Sequence, residues 1–169
     1  MTATVLVAGI GNIFQSDDGF GVEVANRLAA QDFPSDVRVA EFGIRGVHLA
    51  YELLDGYECL ILIDAVDLRD APGTLAVIRP DSSEATGADS DEIAPVVDAH
   101  SMSPDVVLGT LANLGGSVGE IFVVGCQPES LDEGMGLTAP VAAAVDGAVR
   151  LCHQLVADVL RPVRKESRA

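Results

Sequence analysis

Four residues in this sequence have types and positions suited to chemistry. Asp17 and Asp18 stand side by side in "GIGNIFQSDDGFG" (9–21), directly after the first apolar run. Asp64 closes "CLILID". His100 lies in "VVDAHSMSPDVV", just before a helix start. Two carboxylates and one imidazole make an O/O/N ligand set. Such a set suits borderline divalent metals such as nickel or zinc, with positions left open for water or substrate. A carboxylate at a helix N-terminus stays ionised at neutral pH. Asp17 or Asp18, with Asp64 and His100, are therefore candidate metal ligands, the alternative for His100 being an ordinary polar loop residue, and they point to a metal-associated hydrolase or a metal-binding protein.

Other chemistries fit less well. The dinucleotide fingerprint G-x-G-x-x-G is met by Gly9 and Gly11 but fails at Phe14, and the phosphate loop G-x-x-x-x-G-K-[ST] is absent. Two acids would also repel a phosphate unless a cation intervened. No G-x-S-x-G marks a serine nucleophile. The run Asp64-Ala65-Val66-Asp67 lacks the D-x-D spacing of phosphotransfer aspartates. His48 shares a polar helix face with Glu52 and Asp55, and His153 shares one with Asp146, Arg150 and Asp158; both read as surface residues. The glycines raise a separate question. Gly19 and Gly21 fall inside a predicted helix, where each costs roughly 1 kcal/mol against Ala. Close approach of something to the backbone would explain them, and a bulky partner is the expected visitor.

The elements that position these residues alternate between strand and helix. "TVLVAG" (4–9) is a continuous apolar run, the pattern of a strand buried on both faces. Residues 18–31 turn helical, with Phe20, Val24, Ala25, Leu28 and Ala29 on one face and Ser16 or Asp17 as the cap. "VRVAEFG" (37–43) reads as a second strand. Residues 46–55 return to helical period with Val47, Ala50, Tyr51 and Leu54 inward. "CLILIDAV" (59–66) is the strongest strand. After the turn "DAPG", the strand "TLAVIR" (74–79) follows so soon that an antiparallel neighbour is expected. "SPDVV" (103–107) starts a helix with Ser103 as cap, and Val107, Leu111 and Leu114 form its buried stripe. "EIFVVG" (120–125) is another buried strand. A loop, "QPESLDEGMGLT", leads to a helix from about Pro140 to Leu160. This order predicts a single three-layer α/β/α domain over residues 1–160, with a twisted, mostly parallel five-stranded sheet, one strand antiparallel. Residues 161–169 are expected to be a flexible tail. Ligands in such folds sit beyond the carboxyl ends of the strands.

Composition narrows the partners. The 169 residues carry a net charge of −16, and 49 % of them are hydrophobic at a mean hydropathy of +0.33. Between Arg79 and Arg150 there are twelve acids and no lysine or arginine, so a nucleic-acid partner is excluded and a metal or a basic partner segment is favoured. The acidic stretch 81–98 is a candidate rim over the site, or plain solvated loop. No segment has the apolar length of a membrane span. "MTATVLVAGIGN" lacks a basic leader region, and a cytoplasmic protein is expected. Cys59, Cys126 and Cys152 form no C-x-x-C and read as buried free thiols.

Four blocks together resemble the nickel-iron hydrogenase maturation endopeptidases. They are "GIGNIFQSDDGFGV", "LILIDAVDLRDAPGTL", "DAHSMSPDVVLGTL" and "GCQPESLDEGMGLTAPV", in family order from about residue 4 to 160. The resemblance implies an enzyme that removes a C-terminal peptide from a nickel-loaded hydrogenase large-subunit precursor. Asp18, Asp64 and His100 fall on the family's metal-contact positions, and they would also carry the catalysis. The nickel would come with the precursor, the resting enzyme being metal-free, and the protein is expected to act as a monomer. The alternative is a chaperone that binds the nickel-loaded precursor without cutting it. Near "EFGIRGVHLAYELL" several family members carry a Gly-Thr pair where this chain has Gly43-Ile44-Arg45; Arg45 reads as a helix-start surface residue.

Overall fold

The computed structural model describes residues 4–79 and 104–168, with side chains over 4–79 and 106–160. Five strands form one sheet: β1 (Val5–Ile10), β2 (Val37–Gly43), β3 (Cys59–Ala65), β4 (Leu75–Ile78) and β5 (Glu120–Cys126). The helices are α1 (Phe20–Ala29), α2 (Gly46–Leu53), α3 (Pro104–Asn113) and α4 (Ala139–Arg168), and a 3-10 turn over Ser16–Gly19 precedes α1. The sheet order is β2-β1-β3-β5-β4, parallel except for the β4–β5 pair. The sheet and its helices make the expected α/β domain.

The period of two along the strands sorts the core into two layers. Odd-numbered Val5, Val7, Cys59, Ile61 and Ile63 pack under α1 and α4, against Phe20, Val24 and Leu28 on α1 and Val141, Val145 and Cys152 on α4. Even-numbered Leu6, Ala8, Leu60 and Leu62 pack under α2 and α3, against Leu49, Leu53, Val107 and Leu111. β1 is buried along its whole length, as its unbroken apolar run requires. Among the described residues no helix is long and apolar enough to cross a membrane.

Several expectations need correction. β4 runs antiparallel, yet its hydrogen-bonded neighbour is β5, not the preceding β3. β5 is inserted between them because its seven residues pair with all of Cys59–Ala65, and the shorter β4 is left to the edge. In α2 the buried residues are Leu49, Ala50 and Leu53, while Val47, Tyr51 and Leu54 are exposed, so the inward face is rotated from the expected one. Two apolar stripes were available on this short helix, and packing onto β1 and β3 selects the Leu49–Leu53 stripe. Leu114 and Ala29 are likewise exposed, each at or beyond the last helical residue. α4 continues helically to Arg168, past the expected end at Leu160. Ser103 and the acidic stretch 81–98 lie outside the described residues.

Candidate active site

The chain changes direction between β1 and β3. From β1 it passes through α1 to β2 on one side; from β3 it passes toward β5 on the other. A doubly wound sheet opens a crevice at such a point, beyond the carboxyl ends of the strands. Asp18 lies in the 3-10 turn that follows β1. Asp64 lies at the end of β3, one residue past Ile63, the last residue that β3 pairs with β1. Both acids therefore belong to this crevice edge.

Glycines make the geometry possible. A Cβ on Gly9 would stand 2.1 Å from the Gly21 carbonyl oxygen. A Cβ on Gly21 would stand 2.1 Å from the carbonyl oxygen of Ile63 and 2.4 Å from that of Ile10. The start of α1 thus lies backbone-to-backbone against β1 and β3. This corrects the expectation that the glycines admit a partner: the protein's own backbone occupies the space at Gly9, Gly11 and Gly21. Their effect is to bring the turn carrying Asp18 against the end of the strand carrying Asp64.

Asp18 is half-buried, and its Oδ2 accepts the Asn12 N–H at 2.7 Å. The Asn12 side chain in turn accepts the Phe14 N–H at 2.9 Å, which closes the turn. Asp64 is buried with 6 % of its surface exposed. Burial, followed by the negative charge of Asp18, pushes its carboxyl well above the ordinary carboxylate range, and a hydrogen bond from the Ala65 backbone offsets only part of this. The Asp18 side chain thus lies near enough to Asp64 for its charge to disfavour ionisation of the buried acid.

Asp17 plays a part that sequence reasoning missed. Neither it nor Ser16 caps a helix; no side-chain cap bond is made at the 3-10 turn or at α1. Asp17 is fully buried. Its Oδ2 accepts the backbone N–H of Glu129 (2.8 Å) and Ser130 (3.0 Å), its Oδ1 accepts that of Thr138 (2.7 Å), and the Thr138 hydroxyl donates as well. These donors outweigh the cost of burial and hold its carboxyl below the ordinary value. Backbone bonds add to the grip: Ser16 N–H donates to Gly134 O (2.8 Å), Gly134 N–H to Phe14 O (2.9 Å) and Asp17 N–H to Ser130 O (3.1 Å). Ser16 itself sits at φ 50°, a conformation rare for a non-glycine residue, and its hydroxyl is tied to the Asp132 carbonyl at 2.7 Å. The β1–α1 loop and the β5–α4 loop are thereby one clamped unit. The signal in the sequence was steric. Adjacent residues in a 3-10 turn project about 120° apart, so Asp17 and Asp18 had to face different partners.

Among the described residues no group of three or more His, Cys, Asp or Glu side chains is placed to hold a metal. His100 lies outside the described residues, four positions before α3 begins. His48 is exposed on α2, and His153 is exposed on α4, where it stacks on Phe33 with ring centroids 4.6 Å apart. Arg45 precedes α2 and donates to the carbonyls of Phe42 (3.0 Å) and Glu41 (3.3 Å), in keeping with a helix-start surface residue.

Known proteins resemble this chain in sequence and in fold. A family profile described as hydrogenase maturation protease matches residues 22–154. The hydrogenase expression/formation protein HoxM of Azotobacter vinelandii is 35 % identical over 166 residues, covering 94 % of this chain and 75 % of its own. Among solved structures, the hydrogenase maturating endopeptidase HybD from Escherichia coli superimposes with a TM-score of 0.68 at 27 % identity, covering 96 % of this chain and 93 % of that one. The hydrogenase 2 maturation peptidase from Thaumarchaeota archaeon SCGC_AB-539-E09 gives 0.67 at 30 % identity, covering 90 % and 97 %. With its fold, its sequence and four fifths of its length in agreement, this chain belongs to the hydrogenase maturation protease family and is an endopeptidase.

Proposed function

We propose that this endopeptidase removes the C-terminal extension of a nickel-loaded [NiFe]-hydrogenase large-subunit precursor, and that Asp18, Asp64 and His100 read the nickel the precursor carries. The observation that carries the proposal is the pair of acids at the β1/β3 crevice, one of them raised first by burial and then by the other's charge. A dication brought by the substrate relieves both the burial cost and the repulsion. An imidazole from the segment before α3 completes a borderline O/O/N set. Loading the metal onto the substrate makes nickel insertion the licence for cutting.

Cleavage adds water across the scissile C–N bond and leaves a new carboxylate and a new amine. Two routes to that step fit this edge of the sheet. The docked nickel can polarise the carbonyl or acidify a bound water. Alternatively, Asp18 or Asp64 acts as a general base, a role suited to the carboxyl whose proton affinity is raised. The reading includes a cytoplasmic, monomeric enzyme whose working unit is residues 1–160, with 161–169 a tail.

Intact mass of candidate precursors, with and without nickel, tests the proposal. The wild-type chain should shorten only the nickel-loaded form. Asp64→Asn and His100→Ala should each abolish the shortening while circular dichroism stays native. Equal cutting of nickel-free precursor, or normal cutting by both variants, refutes the ligand set. A precursor bound but uncut by the wild type means a chaperone instead.

A further inference from the structure

The clamped loops hold large apolar side chains out in solvent. Phe14 is 61 % exposed and Met135 69 %. Ile13 and Leu131, on the same two loops, are exposed as well. Their display is built in. Met135 sits between Gly134 (φ 150°) and Gly136 (φ 102°), two backbone conformations that side-chain-bearing residues rarely adopt, so the chain is bent on both sides of it. Gln15 and Gly134 form an isolated parallel bridge that fixes one loop on the other. Ile13 and Met135 then stand at the mouth of a groove of about 490 Å³ between α1 and α4, floored by Val22, Leu137 and Val145.

Charge says what fits there. Glu129, Asp132 and Glu133 surround Leu131 and are exposed, in a stretch with no lysine or arginine between Arg79 and Arg150. The one cation among the described residues lining the groove, Arg27, is already paired with Glu23 at 3.3 Å and Asp146 at 3.1 Å. The rim therefore offers apolar anchors beside an acidic loop. Three metal contacts cannot by themselves hold a folded protein, because specific complexes bury about 800 Å² on each partner.

We infer that Phe14, Met135, Ile13 and Leu131, with the groove behind them, are the surface on which the large-subunit precursor docks, through a segment that carries apolar side chains flanked by lysine or arginine. This rests on the proposed function above. Phe14 is four residues from Asp18 and Met135 is bound to the same loop, so the anchors and the acids move together. The surface would bind the precursor body whether or not the nickel is in place, and the metal would add its own selectivity.

The test measures initial cleavage rates against concentration of nickel-loaded precursor for the wild type, a Phe14→Ser/Met135→Ser double variant and a Val77→Ser control. Val77 is an exposed apolar residue on edge strand β4. The double variant should raise KM at least about tenfold, the scale on which buried interface anchors act, with kcat within about twofold of wild type. An Asp132→Lys/Glu133→Lys variant should also raise KM and should flatten the rise of KM with salt seen in the wild type. A KM for the double variant equal to that of the Val77→Ser control, with wild-type salt dependence in the charge-reversed variant, overturns the docking surface and leaves the cleavage reading intact. A wild-type chain that leaves every nickel-loaded precursor uncut overturns the cleavage reading, and this inference with it.

Discussion

Replacing Asp17 by Asn exchanges one carboxylate oxygen for an NH2 group and changes nothing else in shape. If the amide oxygen takes the place of Oδ2, it still accepts from Glu129 and Ser130, but the NH2 then faces the Thr138 N–H, donor against donor. In the other orientation two amides lose their acceptor. One unpaired buried donor costs about 1–3 kcal/mol, and the bonds that remain lose their charge assistance, worth roughly another 1 kcal/mol in all. Relief from burying an anion offsets part of this. The expected loss is about 3 kcal/mol, or roughly 6–12 °C in Tm for a chain of this size. The pH dependence has a definite sign. The depressed native pKa of Asp17 means its contribution is complete above the unfolded value, near pH 4, and is lost as pH falls through the lower native one. The gap between wild type and variant should therefore be full at neutral pH and close in acid. Thermal unfolding across pH gives the magnitude, and hydrogen exchange at the amides of Glu129, Ser130 and Thr138 gives the place. A Tm within about 2 °C of wild type at pH 7, with those amides still protected, would refute the clamp.

Asp64→Asn should do the opposite at neutral pH. The raised native pKa means that ionising Asp64 costs stability progressively as pH climbs from the unfolded value toward the native one, so the Asn variant should be more stable than wild type at pH 7 and no more stable near pH 3, read by denaturant melts. Gly21→Ala should prevent folding or cost more than about 3 kcal/mol, since its Cβ meets two backbone oxygens, whereas Gly109→Ala on α3 meets nothing within 4 Å and should add about 0.5–1 kcal/mol. Soluble yield and chemical denaturation distinguish the two; equal effects would refute the backbone-contact account. Burial pushes the thiols of Cys59 and Cys152 up to about 12 and, with help from the Asp17 charge, that of Cys126 to about 11. A thiol reagent at pH 8 should therefore label none of the three in the native protein and all three after unfolding, as counted by mass.

The sheet was legible because its strands are buried on both faces. Unbroken apolar runs such as Cys59–Ile63 announce that without help from any neighbour. The same clarity put Asp64 at a strand end and Asp18 after a strand, which is why both acids could be placed on one edge of the sheet from residue order alone. Where the reading went astray, the deciding contact was distant in sequence. The face of α2 was ambiguous until β1 and β3 chose it. The neighbour of β4 depended on a strand that begins more than forty residues later. The glycines of the first loop pointed correctly to close approach but could not say by what, because Gly21 on α1 meets Ile63 of β3, more than forty residues later. Asp17 read as a helix cap, and its partners at 129–138 carry no mark of their own in the sequence beyond a threonine and an unusual glycine spacing.

The Asp17 clamp also fixes when the enzyme can become competent. Its hydrogen bonds join residues 112, 113 and 121 positions apart, and long loop closures of this kind come late in folding. On the ribosome, β1, its loop and the 3-10 turn emerge early, and β4 emerges with no strand to pair with. Until β5 threads between β3 and β4 and Thr138 follows it out, the Asp17 carboxylate lacks the three backbone donors that hold it. A nascent chain therefore holds its two acids by local packing early, and gains the clamp between its first and last loops only when residues 129–138 have emerged.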